Sequence, residues 1–197
     1  MNKGEKLALF LGMLSGDGCL SIKHNGEGYR DYPIDFCNTD KSKVILFDNL
    51  FYELFGIRGR ISSVKRPNRK EIWHFLKHSV KIVKELKEIG FPEGVKRDVL
   101  RITERIKNGS KKEKLAFIYG VLITDGHVRK DKSILFHLGS KLFLEDMSKL
   151  ISEFIGVEKP ISEFIQREKY HSYQLSLNKK EGDFILSESP RATMVLG

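Results

Sequence analysis

The chain contains itself twice. KLALFLGMLSGDG (residues 6–18) returns as KLAFIYGVLITDG (114–126), and Lys6, Leu7, Ala8, Gly12, Leu14, Asp17 and Gly18 recur 108 positions later. The likeness continues at an offset of 100, where residues 34–62 match residues 134–162 through Ile34/Ile134, Phe36/Phe136, Lys41/Lys141, Leu50/Leu150, Glu53/Glu153 and Gly56/Gly156. The change of offset leaves eight extra residues in the first copy, around KHNGEGYR, where Asn25-Gly26 has the form of a hairpin turn. A repeating unit of about 80 residues is far longer than a solenoid repeat. The chain must therefore build two domains of one design.

Each copy opens with a helix that is apolar nearly all round (6–16 and 114–124), so each must be buried on most sides. Asn2 with Glu5, and Ser110 with Glu113, have the spacing of a capping box. In the first copy two strands follow (19–24 and 29–37), then an amphipathic helix over 41–55 ended by Gly56, two more strands (58–65 and 71–77) and a helix over 80–89. The second copy repeats this order, closing with strands at 160–167 and 170–177 and a helix over 181–186. The expected fold is α+β: two pseudo-symmetric αββαββα halves, each with an antiparallel sheet, joined where the two first helices pack. The halves span residues 1–91 and 113–187, connected by a charged helical linker (92–112), and 188–197 form a tail without periodicity.

Lys and Arg number 35 against 26 Asp and Glu, a formal charge of +9, which makes a polyanion the leading class of partner. The two cysteines, Cys19 and Cys37, have no CxxC spacing, so a structural zinc site is not expected and both read as buried free thiols in a reducing compartment. The apolar run at 7–14 is far shorter than the roughly 20 residues that span a bilayer, and no cleavable signal pattern follows it. An intracellular protein of the cytoplasm, nucleoid or organelle matrix is expected.

Both apolar helices end in Asp-Gly, although a helix C-terminus carries partial negative charge and prefers a cation. Gly12 and Gly16 in the first, and Gly120 and Thr124 in the second, place small residues four apart on one face, which allows close backbone approach. If the helices pack in parallel, Asp17 and Asp125 meet beside two negative dipole ends. That repulsion calls for divalent cations, and Mg²⁺ favours one or two carboxylates, water and phosphate oxygens. The bland alternative is two independent Asp-Gly helix caps.

FLGMLSGDG and IYGVLITDG resemble the two motifs of a single-chain LAGLIDADG homing endonuclease, and the resemblance runs to about residue 186. It implies that the motif helices form the interface between halves, that the sheets are saddle-shaped, and that Asp17 and Asp125 bind metal at the scissile phosphates. It implies further that the carbonyls of Gly16 and Thr124 complete the metal shell. Ser15 and Ile123 replace the motif's earlier Asp, which is not the metal ligand, and Thr124 is bulkier than usual, which would widen the interface there. Polar and basic residues before the second helix of each half map to Asp40-Lys41 and Ser140-Lys141, where Asp40 departs from a common Gln. Lys41 and Lys141 are thus candidates to steady transition-state charge, a solvated first turn of helix being their alternative, with Lys77 and Lys179 weaker candidates for the same role.

The concave sheet faces would read double-stranded DNA in the major groove. Candidate contacts are Lys23, His24, Arg30, Arg58, Arg60, Lys65, Arg66 and Arg69 in the first half, and His127, Arg129, Lys130, Gln166, Arg167 and Lys169 in the second. The expected activity is metal-dependent cleavage of both strands of a long pseudo-palindromic site, leaving 3′ overhangs. The expected actor is a free-standing, intron-encoded monomer, since one chain carries both halves. The alternatives are a maturase that binds intron RNA and a non-catalytic DNA-binding regulator.

Overall fold

A computed structural model of the chain describes residues 1–25, 29–166 and 170–190. The duplication is plain in it. In the first half, α1 (Lys3–Asp17) leads through β1 (Gly18–Leu20), β2 (Lys23–Asn25), β3 (Tyr29–Asp31) and β4 (Pro33–Asn38) to α2 (Lys41–Phe55), β5 (Arg60–Val64), β6 (Ile72–His78) and α3 (Val80–Glu88). The short helix α4 (Glu104–Lys107) precedes the second half: α5 (Lys111–Asp125), β7 (Gly126–Val128), β8 (Ile134–Leu138), α6 (Lys141–Ile155), β9 (Ile161–Gln166), β10 (Tyr170–Leu177) and α7 (Lys179–Glu188). The strands form two antiparallel sheets of the same order, β1-β4-β6-β5 and β7-β8-β10-β9.

The local signals are met. Asn2 and Ser110 close reciprocal capping boxes with Glu5 and Glu113, which fix where the motif helices start. Gly56 and Gly156 end α2 and α6 at φ of 73° and 79°, a left-handed turn that glycine takes without penalty. Three expectations change. The first-copy strands are each broken in two, because the eight-residue insertion pairs with itself as the separate ribbon β2–β3; the hairpin turn after Asn25 lies outside the described residues. The linker is not a continuous helix: residues 92–103 are turns and extended chain, and only Glu104–Lys107 is helical. It is held by side chains instead, as described below. The cysteines are free but only half-buried, since β1 and β4 alternate Leu20, Ile34 and Phe36 into the core and Cys19, Asp35 and Cys37 to the other face.

The two halves fill their cores differently. The first is aromatic: Phe36 stacks on Phe47 at 4.3 Å, Phe47 meets Phe10 at 4.7 Å and Phe75 at 5.1 Å, and Phe51 packs between Phe10 and Phe75. The second relies on Leu144, Met147, Leu150 and Ile151 of α6, with Phe117, Phe136 and Phe143 fully enclosed. The same contacts recur across the duplication. Lys6 pairs with Glu53 and Lys114 with Glu153, tying each motif helix to the second helix of its half. At equivalent sites Asp48 accepts the Gly59 amide, and Ser148 accepts the Lys159 amide and donates to its carbonyl.

Between the halves α1 and α5 run parallel and touch backbone to backbone. A Cβ added to Gly12 would overlap the Phe117 carbonyl oxygen and come 3.0 Å from the Gly120 Cα. One added to Gly120 would overlap the Leu9 carbonyl and come 2.9 Å from the Met13 amide. These atoms belong to helix backbone and cannot move aside as a side chain can. Gly12→Ala and Gly120→Ala are each expected to lower the unfolding free energy by roughly 1–3 kcal/mol or more in urea titration, whereas Gly56→Asn, at a cap with open space around it, should stay within about 1 kcal/mol.

Candidate active site

The parallel packing carries both motif acids to one place. The built Cβ on Gly16 would meet Thr124 at its side chain and lie 2.8 Å from Asp125 Oδ2, so the carboxylate of the second half lies against the backbone of the first. Thr124 sets its side chain, rather than helix backbone, against Gly16. Its hydroxyl donates back to Gly120 at 3.1 Å and Val121 at 3.0 Å, which folds it along its own helix. Asp17 accepts a 2.5 Å hydrogen bond from Asn38 Nδ2 at the end of β4. The duplicate of Asn38 is Leu138, which is buried, so the two acids are not held alike.

Both carboxyls are harder to ionise than usual. Burial raises the pKa of Asp17 above the ordinary 3.8, opposed by the Asn38 hydrogen bond and by the charges of Lys43 and Lys96. Burial, and then the neighbouring Asp17, push Asp125 up to about 6, against the pull of Lys96 and Lys43. Two half-buried acids at two negative helix ends, both raised by burial and one of them further by the other, fit a cationic ligand. Among the described residues no three His, Cys, Asp or Glu side chains converge. A divalent ion here would find these two carboxylates and the backbone carbonyls beside them, an all-oxygen set of the kind Mg²⁺, Mn²⁺ or Ca²⁺ accepts.

Two cations reach the acids that the sequence reading did not single out. Lys43, in the first turn of α2, acts on both carboxylates. Lys41, two residues earlier, instead lies over the Trp73 ring at 4.3 Å, and Lys141 is exposed at the start of α6 near Glu163. The second cation is Lys96, from the linker. Its ammonium donates to the carbonyls of Leu14 at 3.0 Å, Ser15 at 2.8 Å and Gly16 at 2.8 Å. Burial pushes its pKa down to about 8, while Asp125, Cys19 and Asp17 hold it up. Asn38 and Lys43 lie within three residues of the Asp40-Lys41 pair that was singled out. Lys96 had no signal, for it stands in a run of charges without periodicity.

The linker is pinned so that Lys96 reaches this point. Gly94 donates to the Leu20 carbonyl at 2.7 Å, Arg97 donates to the His171 carbonyl, and Ser140 donates to the Leu100 carbonyl at 3.3 Å. Buried Asp146 accepts the Ile102 amide at 3.0 Å and pairs with Arg101 and Lys107. A pocket lined by Gly16, Lys96, Arg97, Asp125, His137 and His171 opens at the join.

Strand alternation sorts the expected nucleic-acid contacts. Turned away from the core are Asp35, Arg60, Ser62, His74 and Leu76 in the first sheet, and His127, Leu135, His137, Ser162, Phe164, Ser172 and Gln174 in the second. Arg60 and His127 are thus on these open faces, and Lys77 is on the core-side parity of β6. Lys65, Arg66 and Arg69 lie in the exposed loop after β5, and Arg129 and Lys130 in the exposed turn after β7. Lys23, His24 and Arg30 are carried by the β2–β3 ribbon, Gln166 ends β9, and Arg167 and Lys169 lie outside the described residues. Lys179 starts α7. Arg58 is engaged elsewhere: it donates to Asp48 at 2.6 Å and Asn49 at 3.0 Å and covers the Tyr52 ring at 4.6 Å, fastening β5 to α2.

No protein-family profile and no curated protein sequence matches the chain. Solved structures do. Mesophilic variants of the homing endonuclease I-DmoI superpose with a TM-score of 0.73 at 19% identity, over 95% of this chain and 96% of that one. I-DmoI in complex with DNA and Ca superposes with a TM-score of 0.71 at 21% identity, over 96% and 94% of the two chains. The N-terminal LAGLIDADG domain of DUF199/WhiA does so with a TM-score of 0.65 at 14% identity, over 97% and 84%. The chain has the two-domain LAGLIDADG fold.

An acid whose pKa is raised on folding favours the fold while it keeps its proton. Between pH 3.8 and about 6 the folded chain holds the Asp125 proton that the unfolded chain has lost, so metal-free stability falls as pH rises through this window. Urea unfolding in EDTA is expected to show a loss on the order of 1–3 kcal/mol from pH 4 to 7, with a shallower fall in Asp125→Asn.

Proposed function

We propose that this protein is a site-specific DNA endonuclease, of the homing type, that makes a metal-dependent double-strand break in a long pseudo-palindromic site and leaves 3′ overhangs. The observation that carries the reading is the pairing of Asp17 and Asp125 at joined helix ends, where each acid immediately precedes the first strand of its own sheet. Two acids related by the duplication are suited to two phosphates related by the pseudo-twofold of a duplex. The fold is that of I-DmoI, whose structures include complexes with DNA and Ca and with DNA and Mn.

A divalent cation, Mg²⁺ being the expected one, supplies when bound a more acidic water and a polarised phosphate. Asp17 and Asp125 would hold it, with the carbonyls of Thr124 and Gly16 beside them. Asn38 fixes the Asp17 carboxylate so that one oxygen is committed and the other is free. Lys43 offsets negative charge where a phosphate would approach, the role the sequence suggested for Lys41. Open-face Arg60 suits a guanine edge, Asp35 a cytosine amino group, and Leu135 and Phe164 thymine methyl groups. The loop lysine and arginines fit phosphates. Both halves being on one chain supports action as a monomer, within whichever compartment holds the target DNA.

Supercoiled-plasmid cleavage against a library of candidate insertion sites tests the reading. Linearisation with Mg²⁺ that is abolished by EDTA and reduced at least about 100-fold in Asp17→Asn or Asp125→Asn is the expected result. Tight binding of DNA or RNA by the wild type with no cutting would overturn it in favour of a maturase or regulator. The two arginines of β5 and its approach are expected to separate. Arg60→Ala weakens DNA binding and lowers the salt slope by about one. Arg58→Ala instead lowers the unfolding free energy by roughly 1 kcal/mol or more with affinity nearly unchanged, as urea unfolding and fluorescence anisotropy would measure.

A further inference from the structure

The duplication gives the cleft two motif helices and two acids, but only one linker. Lys96 comes from that single-copy segment, and it breaks the symmetry of the site. Its ammonium has three N–H donors, and consecutive carbonyls of α1, Leu14, Ser15 and Gly16, accept all three at 2.8–3.0 Å. Among the described residues no lysine or arginine does the same at the end of α5. The donors around the two acids are not equally available to a cation. Asp125 lies against Gly16, whose carbonyl Lys96 already occupies. Asp17 is fixed by Asn38, and among the described residues no charged side chain donates to the Thr124 carbonyl.

We propose that Lys96 is a resident cation of the cleft, occupying the Gly16–Asp125 side in place of a divalent ion, so that the protein holds one tight divalent site, at Asp17, rather than two equal ones. The proposal rests on the endonuclease reading for the role of these acids, but its content is the inequality of the two sides. A compact ammonium satisfied by three carbonyls stabilises the negative end of α1 without any ligand. A divalent ion on that side would have to displace it from Gly16 and then share Asp125 with its positive charge. The linker contacts that place it, from Gly94 to the Leu20 carbonyl and from Arg97 to the His171 carbonyl, hold the backbone on both sides of Lys96. Lys96 thus acts as a positioning residue whose hydrogen bonds go to the end of one motif helix only.

Counting bound Mn²⁺ on the whole protein by electron paramagnetic resonance tests this without reference to cleavage. The wild type is expected to bind about one tight equivalent, lost in Asp17→Asn, and Lys96→Met about two, the second lost in Lys96→Met/Asp125→Asn. Lys96→Gln, which keeps an amide donor for the α1 carbonyls, serves if thermal melting shows Lys96→Met to be unfolded, and the same second equivalent is expected of it. Two equal sites in the wild type, or an unchanged count in the folded Lys96 variant, would overturn the proposal while leaving the metal-dependent nuclease standing. No tight Mn²⁺ in the wild type or in the Lys96 variants would overturn both.

Discussion

The approach of α1 and α5 at Gly12 and Gly120 is the contact on which the rest depends. With the Cα atoms of these glycines facing each other, the two helices are fixed in parallel and in register, because any side chain there would meet backbone. Register then decides chemistry. One helical turn beyond the glycines, Gly16 meets Thr124 and Asp125, so close packing at the middle of the helices delivers the acids to a common point at their ends. The sheets follow too, since β1 and β7 begin at the residue after each acid and start both sheets from the same place.

That geometry stores an electrostatic conflict. Two helix C-termini and two carboxylates converge where solvent is partly excluded, and the raised pKa values of Asp17 and Asp125 are the cost expressed in protons. The fold offsets part of it with Asn38, Lys43 and Lys96, none of which removes an acid from the cleft. A site arranged for stability alone would have replaced one acid by an uncharged residue. Keeping both, at a penalty, is what a cation-dependent reaction on a polyanion requires, and the basic loop residues around it suit the same partner.

Much of this was legible in the sequence because duplication acts as an internal control. Glycine and acid positions that recur 108 residues apart must serve the same geometry, and the caps, helix lengths and the C-terminal strand pair follow from local rules that the structure obeys. What was not legible depends on orientation or on side-chain partners distant in sequence. Strand parity placed Arg60 on an open face, while partners in α2 drew Arg58 away from it. Trp73, thirty-two residues on, holds Lys41 over its ring, and it is the charge of Lys43 that bears on the acids. The charged composition of the linker suggested a helix, yet its path is set by Asp146, Ser140 and the Leu20 carbonyl, and no local pattern announces those.

The linker also limits what a fused pseudo-dimer can keep symmetric. Two identical subunits would have to present the same residues to both strands of a duplex. A single chain has one connection between its halves, and that connection must pass one side of the join. Here it passes beside the end of α1, and it carries Lys96 and Arg97 with it. The ammonium it brings is hydrogen-bonded to one motif helix and not to the other among the described residues. The substitution of Leu138 for Asn38 works in the same direction, leaving the second half's acid without the amide that orients the first. Once the halves are joined, each position is free to diverge from its duplicate, as Asn38 and Leu138 have, while Asp17 and Asp125 remain a matched pair at the ends of the two motif helices.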